Sequence, residues 1–194
     1  MIDTKTNGWG VRVGVLLAIV GQIACGEAET TTEPIPEDKG DLTLLVSGDD
    51  ISHTLNGKAM FGTSRGSSGH DEWVLFLWRG DQLYYSNQFD VLELFRASLD
   101  RPEPGTYTMA AFSDGVRADE EFAGRYIFSF GISYGVFNVE SGTLTIETSS
   151  DQEISGSFEM TAVIDLRYST EVSADTATVS GTFRAAPGVI PILN

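Results

Sequence analysis

The stretch EISGSFEMTAVI, residues 153–164, carries the clearest structural signal in this chain of 194 residues. Its apolar side chains fall on one set of alternate positions: Ile154, Phe158, Met160, Ala162 and Ile164. Polar side chains fill the positions between them up to Thr161. Successive side chains of a β-strand point to opposite faces of the sheet, so this period of two predicts a strand with one buried face.

A five-residue motif of this strand recurs in the chain. ISGSF at residues 154–158 is matched by VSGTF at 179–183 and, more weakly, by ESGTL at 140–144. The alternation puts Gly156 and Gly181 on the inward face, where the missing side chain admits a bulky neighbour or a bulge. We therefore interpret the repeat as a packing requirement rather than as a functional motif.

Similar short runs continue from Leu42 onwards, separated by turn residues about every dozen positions. Residues 125–131 and 143–147 alternate as strands do, and residues 73–78 are apolar on both faces, which predicts a central strand covered on both sides. Residues 90–99 also fit a helical face, but their strand-like neighbours favour a strand. Together these segments predict an all-β fold, an antiparallel β-sandwich of about 9 to 11 strands, with a lipocalin-like β-barrel as the alternative.

The first 24 residues have the features of an export signal. Lys5 and Arg12 precede an apolar run at residues 13–24, which is shorter than the roughly 20 residues that a membrane-spanning helix needs. The run ends in QIAC, and Cys25 is the only cysteine of the chain. With a single cysteine, no disulfide can form within the chain, so an exported fold must be stabilised by its core.

Residues 22–25, QIAC, resemble the lipobox of bacterial lipoproteins. In that family the cysteine sulfur receives a diacylglycerol, the signal is removed in front of it, and the new amine is acylated. Ala24 and Cys25 match this pattern, whereas Gln22 departs from it, because an aliphatic residue usually stands there. The resemblance implies lipidation at Cys25, with ordinary signal cleavage or loss of Cys25 with the signal as alternatives. Several acyl chains hold a protein at a membrane without a helix.

The segment after the cysteine is a predicted tether. Residues 26–41 include three consecutive threonines, two prolines and six acidic residues, but Ile35 is their one large aliphatic side chain. Such a segment cannot bury enough apolar surface to offset its ordering entropy. The predicted organisation is therefore a signal peptide at residues 1–24, a lipidated cysteine and flexible tether at 25–41, and a β-sandwich domain at 42–194.

Four strand motifs follow the lipobox in a fixed order: PGTY at 104–107, SGTLTI at 141–146 and the two SG-S/T-F segments. In this order they resemble a group of uncharacterised bacterial lipoproteins over roughly residues 42–186. The resemblance implies an exported β-sandwich domain and supplies no catalytic residues. We expect the protein in the cell envelope, lipid-anchored to a bacterial membrane with its domain outside the cytoplasm, at the outer membrane in preference to the inner.

The charge of the chain argues against one class of partner. Its formal net charge is −16, and its basic residues are scattered singly, whereas nucleic-acid binders depend on patches of Lys and Arg. We therefore expect no nucleic acid, and a membrane reached through the lipid anchor together with an unknown protein or glycan ligand.

No residue pattern for catalysis or metal binding stands out. The two histidines, His53 and His70, lack a partner motif, and His70-Asp71-Glu72 alternates between opposite faces of a strand, so it does not converge on a metal. The acidic residues, including Asp90 and Asp165, mostly occur in turn-like contexts. The sequence therefore predicts no catalytic residue, no metal site and no cofactor.

Aromatic residues offer the better candidates for a ligand site. Trp73, Trp78, Tyr84 and Tyr85 could form a stacking platform for a sugar or a peptide, although packing in the core is the favoured role. The sequence thus favours a membrane-anchored, non-enzymatic module for binding or envelope assembly. The alternative is a carboxylate-dependent hydrolase acting on polysaccharide, which needs two carboxylates in one cleft.

Overall fold

The computed structural model describes residues 40–48, 51–65, 71–79, 88–111, 121–130, 132–170, 172 and 174–191. Within these ranges the chain is all-β, as predicted. The strands in chain order are β1 Asp41–Gly48, β2 Ser52–Arg65, β3 Asp71–Arg79, β4 Gln88–Arg96, β5 Gly105–Met109, β6 Ala123–Phe130, β7 Ser133–Ser149, β8 Ile154–Ile164 and β9 Thr176–Pro187. A helix able to cross a membrane is not found in these ranges.

Eight of the strands close into an antiparallel barrel. Each pairs with the next around the ring in the order β1, β2, β3, β4, β6, β7, β8 and β9, and β9 pairs again with β1. Strand β5 stays outside the ring and pairs with the second half of β7, from Gly105 opposite Ile146 to Met109 opposite Gly142. Strands β5 and β6 therefore share one edge of β7.

The predicted β-sandwich is wrong, and the alternative of a β-barrel fits the structure. Two long strands make the closure possible: β2 has 14 residues and β7 has 17. Strand β2 pairs with β1, β3 and, at Met60 and Phe61, with β9. Strand β7 carries register shifts after Val139 and Ile146, and such bulges bend a strand and increase its twist. A sheet that curls in this way meets its own first strand.

The barrel interior is filled by the apolar faces of its strands. The residues of the 153–164 stretch predicted to face inward lie there: Ile154, Phe158, Met160 and Ala162 are buried, and Ile164 packs against them. The inward position of Gly156 and Gly181 is also confirmed, because an added Cβ at each would meet an aromatic ring of the interior. The strand predicted from residues 153–164 is therefore β8.

Strand β3 is covered on both faces, as predicted. Its residues Trp73, Leu75 and Leu77 belong to the interior cluster. The residues between them pack in a second buried cluster, whose described members are Met60, Val74, Phe76, Trp78, Val91, Phe95, Ala123 and Ile190. The prediction of a strand rather than a helix at residues 90–99 is confirmed as well, since β4 runs from Gln88 to Arg96.

The two ends of the barrel differ. At one end of the barrel, β3 ends at Arg79 and β4 begins at Gln88. At the same end, β6 ends at Phe130 and β7 begins at Ser133. We call this end the mouth. Arg96 is near the other end of β4, about 20 Å from Asp90 at roughly 3.3 Å per residue. It lies over the rings of Tyr107 and Phe122. Aromatic side chains pack tightly at that far end, and the mouth holds the cavity described next.

Candidate functional site

A cavity of about 350 Å³ opens at the mouth of the barrel. One part of its lining is polar: Ser52, His53, Arg79, Asp90, Ser129 and Ser133. The other part is apolar: Ile51, Phe128, Phe130 and Val172. Binding sites for small molecules are typically concave, mostly apolar pockets of roughly 300 to 1,000 Å³ with a few converging polar groups, so this cavity is at the small end of that range.

A buried carboxylate organises the polar side. Asp90 Oδ1 accepts a hydrogen bond from the Tyr126 hydroxyl and lies 3.1 Å from His53 Nε2. Asp90 Oδ2 lies 2.9 Å from Arg79 Nε in an ion pair. The same His53 Nε2 is 3.1 Å from the Tyr126 hydroxyl oxygen. Four side chains from four strands are thus joined through one aspartate.

Strand alternation explains why these polar residues face inward. Arg79 is in phase with Trp73, Leu75 and Leu77 of β3, and Asp90 is in phase with Leu92 and Leu94 of β4. Arg79 and Asp90 are also register partners across β3 and β4. Side chains directly opposite on one face of an antiparallel pair are close, so the ion pair follows from the register.

The Tyr126 hydroxyl stays protonated in this network. Burial raises the pKa of Tyr126, and the negative charge of Asp90 together with the hydrogen bond to it raises that pKa further, while Arg79 acts in the opposite direction. The phenol therefore serves as a permanent donor to Asp90. A buried tyrosine generally needs such a partner for its polar end.

The network also assigns the tautomer of His53. Tyr126 has a single hydroxyl proton and gives it to Asp90, and an ionised carboxylate has only acceptors. His53 Nε2 is therefore the nitrogen that carries hydrogen, which it donates towards Asp90 and the Tyr126 oxygen.

Of the four aromatic residues predicted as a ligand platform, the structure describes two. Trp73 and Trp78 are each 2% exposed, and they lie in the interior cluster and the second cluster respectively. Tyr84 and Tyr85 lie outside the described residues, in the stretch between Arg79 and Gln88 that links β3 to β4. Cys25 and His70 lie outside the described residues as well.

The acidic residues have more varied environments than the turn-like contexts predicted for them. Asp90 is buried at the mouth. Glu93 lies on the other face of β4 and pairs with Arg125. Burial raises the pKa of Glu93 above its ordinary value, and Arg125 offsets only part of this rise. Asp165 accepts hydrogen bonds from Arg167, and this contact is the main cause that lowers its pKa to about 2. In the described part of the chain, no group of three or more metal-ligating side chains converges.

Sequence reasoning missed His53, Arg79 and Asp90 as members of one site. The available signal was the period of two. Each of the three residues is an even number of positions from the inward apolar residues of its own strand and therefore shares their face. Tyr126 belongs to the interior cluster, and the alternation of residues 125–131 does not reveal Asp90 as its partner. Comparisons of the chain with protein-family models, curated proteins and solved structures give no match, so the function is inferred from the geometry of this site.

Proposed function

We propose that the protein is a lipid-anchored binding module of the cell envelope whose barrel mouth holds a small, partly apolar molecule. The observation that carries the binding proposal is the cavity of about 350 Å³ with a polar network on one side and apolar side chains on the other. Such a division of the lining suits a ligand with one polar end.

The ion-pair network at the mouth contributes little to the stability of the fold, which supports a role in binding. Taking charges out of water costs several kcal/mol for each ion, and a buried ion pair is often no better for stability than apolar residues of the same volume. A barrel of this size can fill its interior with side chains, and most of the interior of this one is apolar, with Arg96 packed among aromatic rings at the far end. Charged residues at the mouth therefore favour recognition of a ligand over packing.

The alternative of a polysaccharide hydrolase gains less support. Its two catalytic carboxylates must face one substrate, at about 5 to 10 Å from each other. Asp90 is the one carboxylate among the described residues that line the cavity, and it is engaged by Arg79, His53 and Tyr126. Glu93 is on the opposite face of the same strand. We therefore place binding ahead of hydrolysis.

The anchor remains part of the proposal on the strength of the sequence. Lipidation at Cys25 followed by a tether would hold the barrel close to a bacterial membrane, at the outer membrane in preference to the inner. Tyr84 and Tyr85 stay candidates for ligand contact on the strength of the sequence, as aromatic residues of the predicted binding platform.

A fragment screen tests the binding proposal. Small aromatic fragments with neutral, anionic and cationic heads are added to the ¹⁵N-labelled protein, and amide shifts are recorded by NMR. We expect the shifted amides to cluster at residues 51–53 and 128–133. If no fragment moves these amides, the proposed function is wrong.

A plug variant and its matched control sharpen the screen. Ser133 lines the cavity, so Ser133→Trp should fill the mouth and abolish the shifts. Thr178 is exposed on β9 between the inward residues Ala177 and Val179, so Thr178→Trp adds the same side chain to the outer surface and should leave binding intact. Equal binding by both variants would place the fragments elsewhere on the protein.

A further inference from the structure

The cavity exposes the cationic side chain of Arg79 to a ligand far more than it exposes the carboxylate of Asp90. The side chains of His53 and Arg79 are 33% and 32% exposed, whereas that of Asp90 is 4% exposed. The side chain of Arg79 is thus much more accessible from the cavity opening than the carboxylate of Asp90. A ligand that enters the mouth meets a guanidinium before it meets an anion.

Asp90 has little capacity left for a ligand. Its Oδ1 already accepts from Tyr126 and faces His53 Nε2, and its Oδ2 faces Arg79. Arg79 uses its Nε for this ion pair, and among the described residues it has no further ion pair or hydrogen bond. The planar guanidinium carries five N–H donors in a fixed fork, so its terminal nitrogens remain for a carboxylate.

The charge of the site limits the charge of its ligand. Arg79 and Asp90 form an ion pair, so the site has no excess positive charge beyond the remaining N–H donors of the Arg79 guanidinium. These donors suit a single carboxylate better than a dianion, since the chain as a whole has a formal net charge of −16. The apolar side of the cavity, formed by Ile51, Phe128, Phe130 and Val172, requires a ligand with an apolar body.

We infer that the mouth binds a monocarboxylate with a compact apolar body, its carboxylate held by the terminal nitrogens of Arg79 and its body against Phe128 and Phe130. This inference rests on the proposed function and names the ligand class of the same site. Asp90 and Tyr126 act as positioning residues, because they hold Arg79 and His53 in place without contacting the ligand.

Four probes that share a phenyl body and differ in their head group test the inference on the full chain. They are phenylacetate, phenylethanol, phenethylamine and phenyl phosphate. We expect phenylacetate to bind the wild type at least about tenfold more tightly than phenylethanol, since charge-assisted hydrogen bonds exceed neutral ones by about this factor. Phenethylamine should bind more weakly because Arg79 repels its ammonium group, and phenyl phosphate because the site does not neutralise its second charge. Amide NMR shifts at residues 51–53 and 128–133 report that binding occurs at the mouth.

Variants at the charged residue identify the group that recognises the head. Arg79→Gln should weaken phenylacetate by about 10- to 100-fold and leave phenylethanol unchanged. Arg184→Gln is the matched control, because Arg184 pairs with Glu153 away from the cavity, and it should bind like the wild type. If Arg79→Gln fails to fold, Arg79→Lys keeps the charge but loses the fork, and it should reduce the preference for phenylacetate over phenylethanol.

The outcomes distinguish the two proposals. If phenylethanol binds at the mouth as tightly as phenylacetate, or if neither Arg79 variant alters the preference, the carboxylate inference is wrong and the binding function stands. If phenyl phosphate binds more tightly, the site takes a dianion and the inference is wrong in its charge. If no probe perturbs the mouth, both proposals fall.

Discussion

Two glycines in the barrel wall face two phenylalanines, and this pairing makes a precise test of the fold. In the register of β8 and β9, Gly156 is opposite Phe183 and Phe158 is opposite Gly181. The two rings are stacked, with centroids 6.4 Å apart and planes 28° from parallel. Each ring thus lies close to the glycine of the other strand, where no side chain competes for the space.

Replacing Gly181 by alanine puts a methyl group where there is no room. The added Cβ would lie 2.2 Å from the backbone oxygen of Thr43 on β1 and 2.8 Å from Cζ of Phe158, against the 3.4 Å at which ordinary contact begins. The backbone of β1 cannot swing aside as a flexible side chain does. We expect Gly181→Ala to lower the free energy of unfolding by about 1 to 3 kcal/mol, the usual cost of overpacking.

Urea unfolding of the full chain, followed by tryptophan fluorescence, measures this loss. A domain of this size should also lose about 2 to 4 °C in melting temperature for each kcal/mol. Gly105→Ala is the control, because its added Cβ would find its nearest neighbour at 4.0 Å, and it should be neutral or raise stability by up to about 1 kcal/mol.

The result that would refute the packing argument is a Gly181→Ala protein within about 0.5 kcal/mol of the wild type, the range of ordinary surface substitutions. A loss in Gly105→Ala as large as that in Gly181→Ala would refute it too, since the effect would then come from glycine replacement in general.

Three further predictions concern the anchor, the network and a surface carboxylate. Cys25→Ala should lose both labelling by a fatty-acid analogue and its place in the membrane fraction, and equal retention of the two forms would disprove the anchor. Tyr126→Phe should cost about 1 to 3 kcal/mol in urea unfolding, because Asp90 loses a buried donor; an unchanged midpoint would contradict that role. The carboxyl carbon of Asp165 should titrate near pH 2 by NMR and shift towards 3.8 in Arg167→Gln, so any stability that this pair supplies is present above that ordinary value and lost as the pH falls towards 2. A wild-type midpoint near 3.8 would show that Arg167 does not hold this carboxylate.

The strands were predictable because their signal is local. Alternation over residues 153–164 identifies β8 and its inward face, and apolar residues on both faces at 73–78 identify a strand that is covered twice. Glycine in phase with inward residues was enough to predict a close neighbour at Gly156 and Gly181. Each of these inferences needs only the period of two within one strand.

Closure of the barrel was not predictable from the same signal. A period of two shows that one face is buried, and a sandwich and a barrel bury one face equally well. The difference lies in whether β9 pairs with β1, which is a contact between distant parts of the chain. The bulges that bend β7 after Val139 and Ile146 lie beside ordinary strand residues, so the sequence does not predict them.

The candidate site was missed for a related reason. Phase shows that His53, Arg79 and Asp90 point inward, but only the barrel register brings three strands and Tyr126 to one point. A polar residue in phase with a buried face is the sequence signal that indicates such a site. Burying a charge is costly, so such a residue implies a partner even when the partner lies far along the sequence.

Among the described residues, two arginines that lie inside the barrel show why function is better sought at the mouth than at the far end. Arg96 is 8% exposed, lies about 6 Å from the ring centroids of Tyr107 and Phe122, and leaves its Nε without a partner in the described structure. Its guanidinium serves as a packing element over aromatic faces, where a cation is attracted without a carboxylate. Arg79 has the opposite arrangement: its Nε pairs with a buried carboxylate, its side chain is 32% exposed, and it lines the cavity. An arginine held from behind and exposed in front is already positioned for an anion, so little ordering is needed when the ligand arrives. Packing alone would not require that arrangement, and recognition of a ligand does.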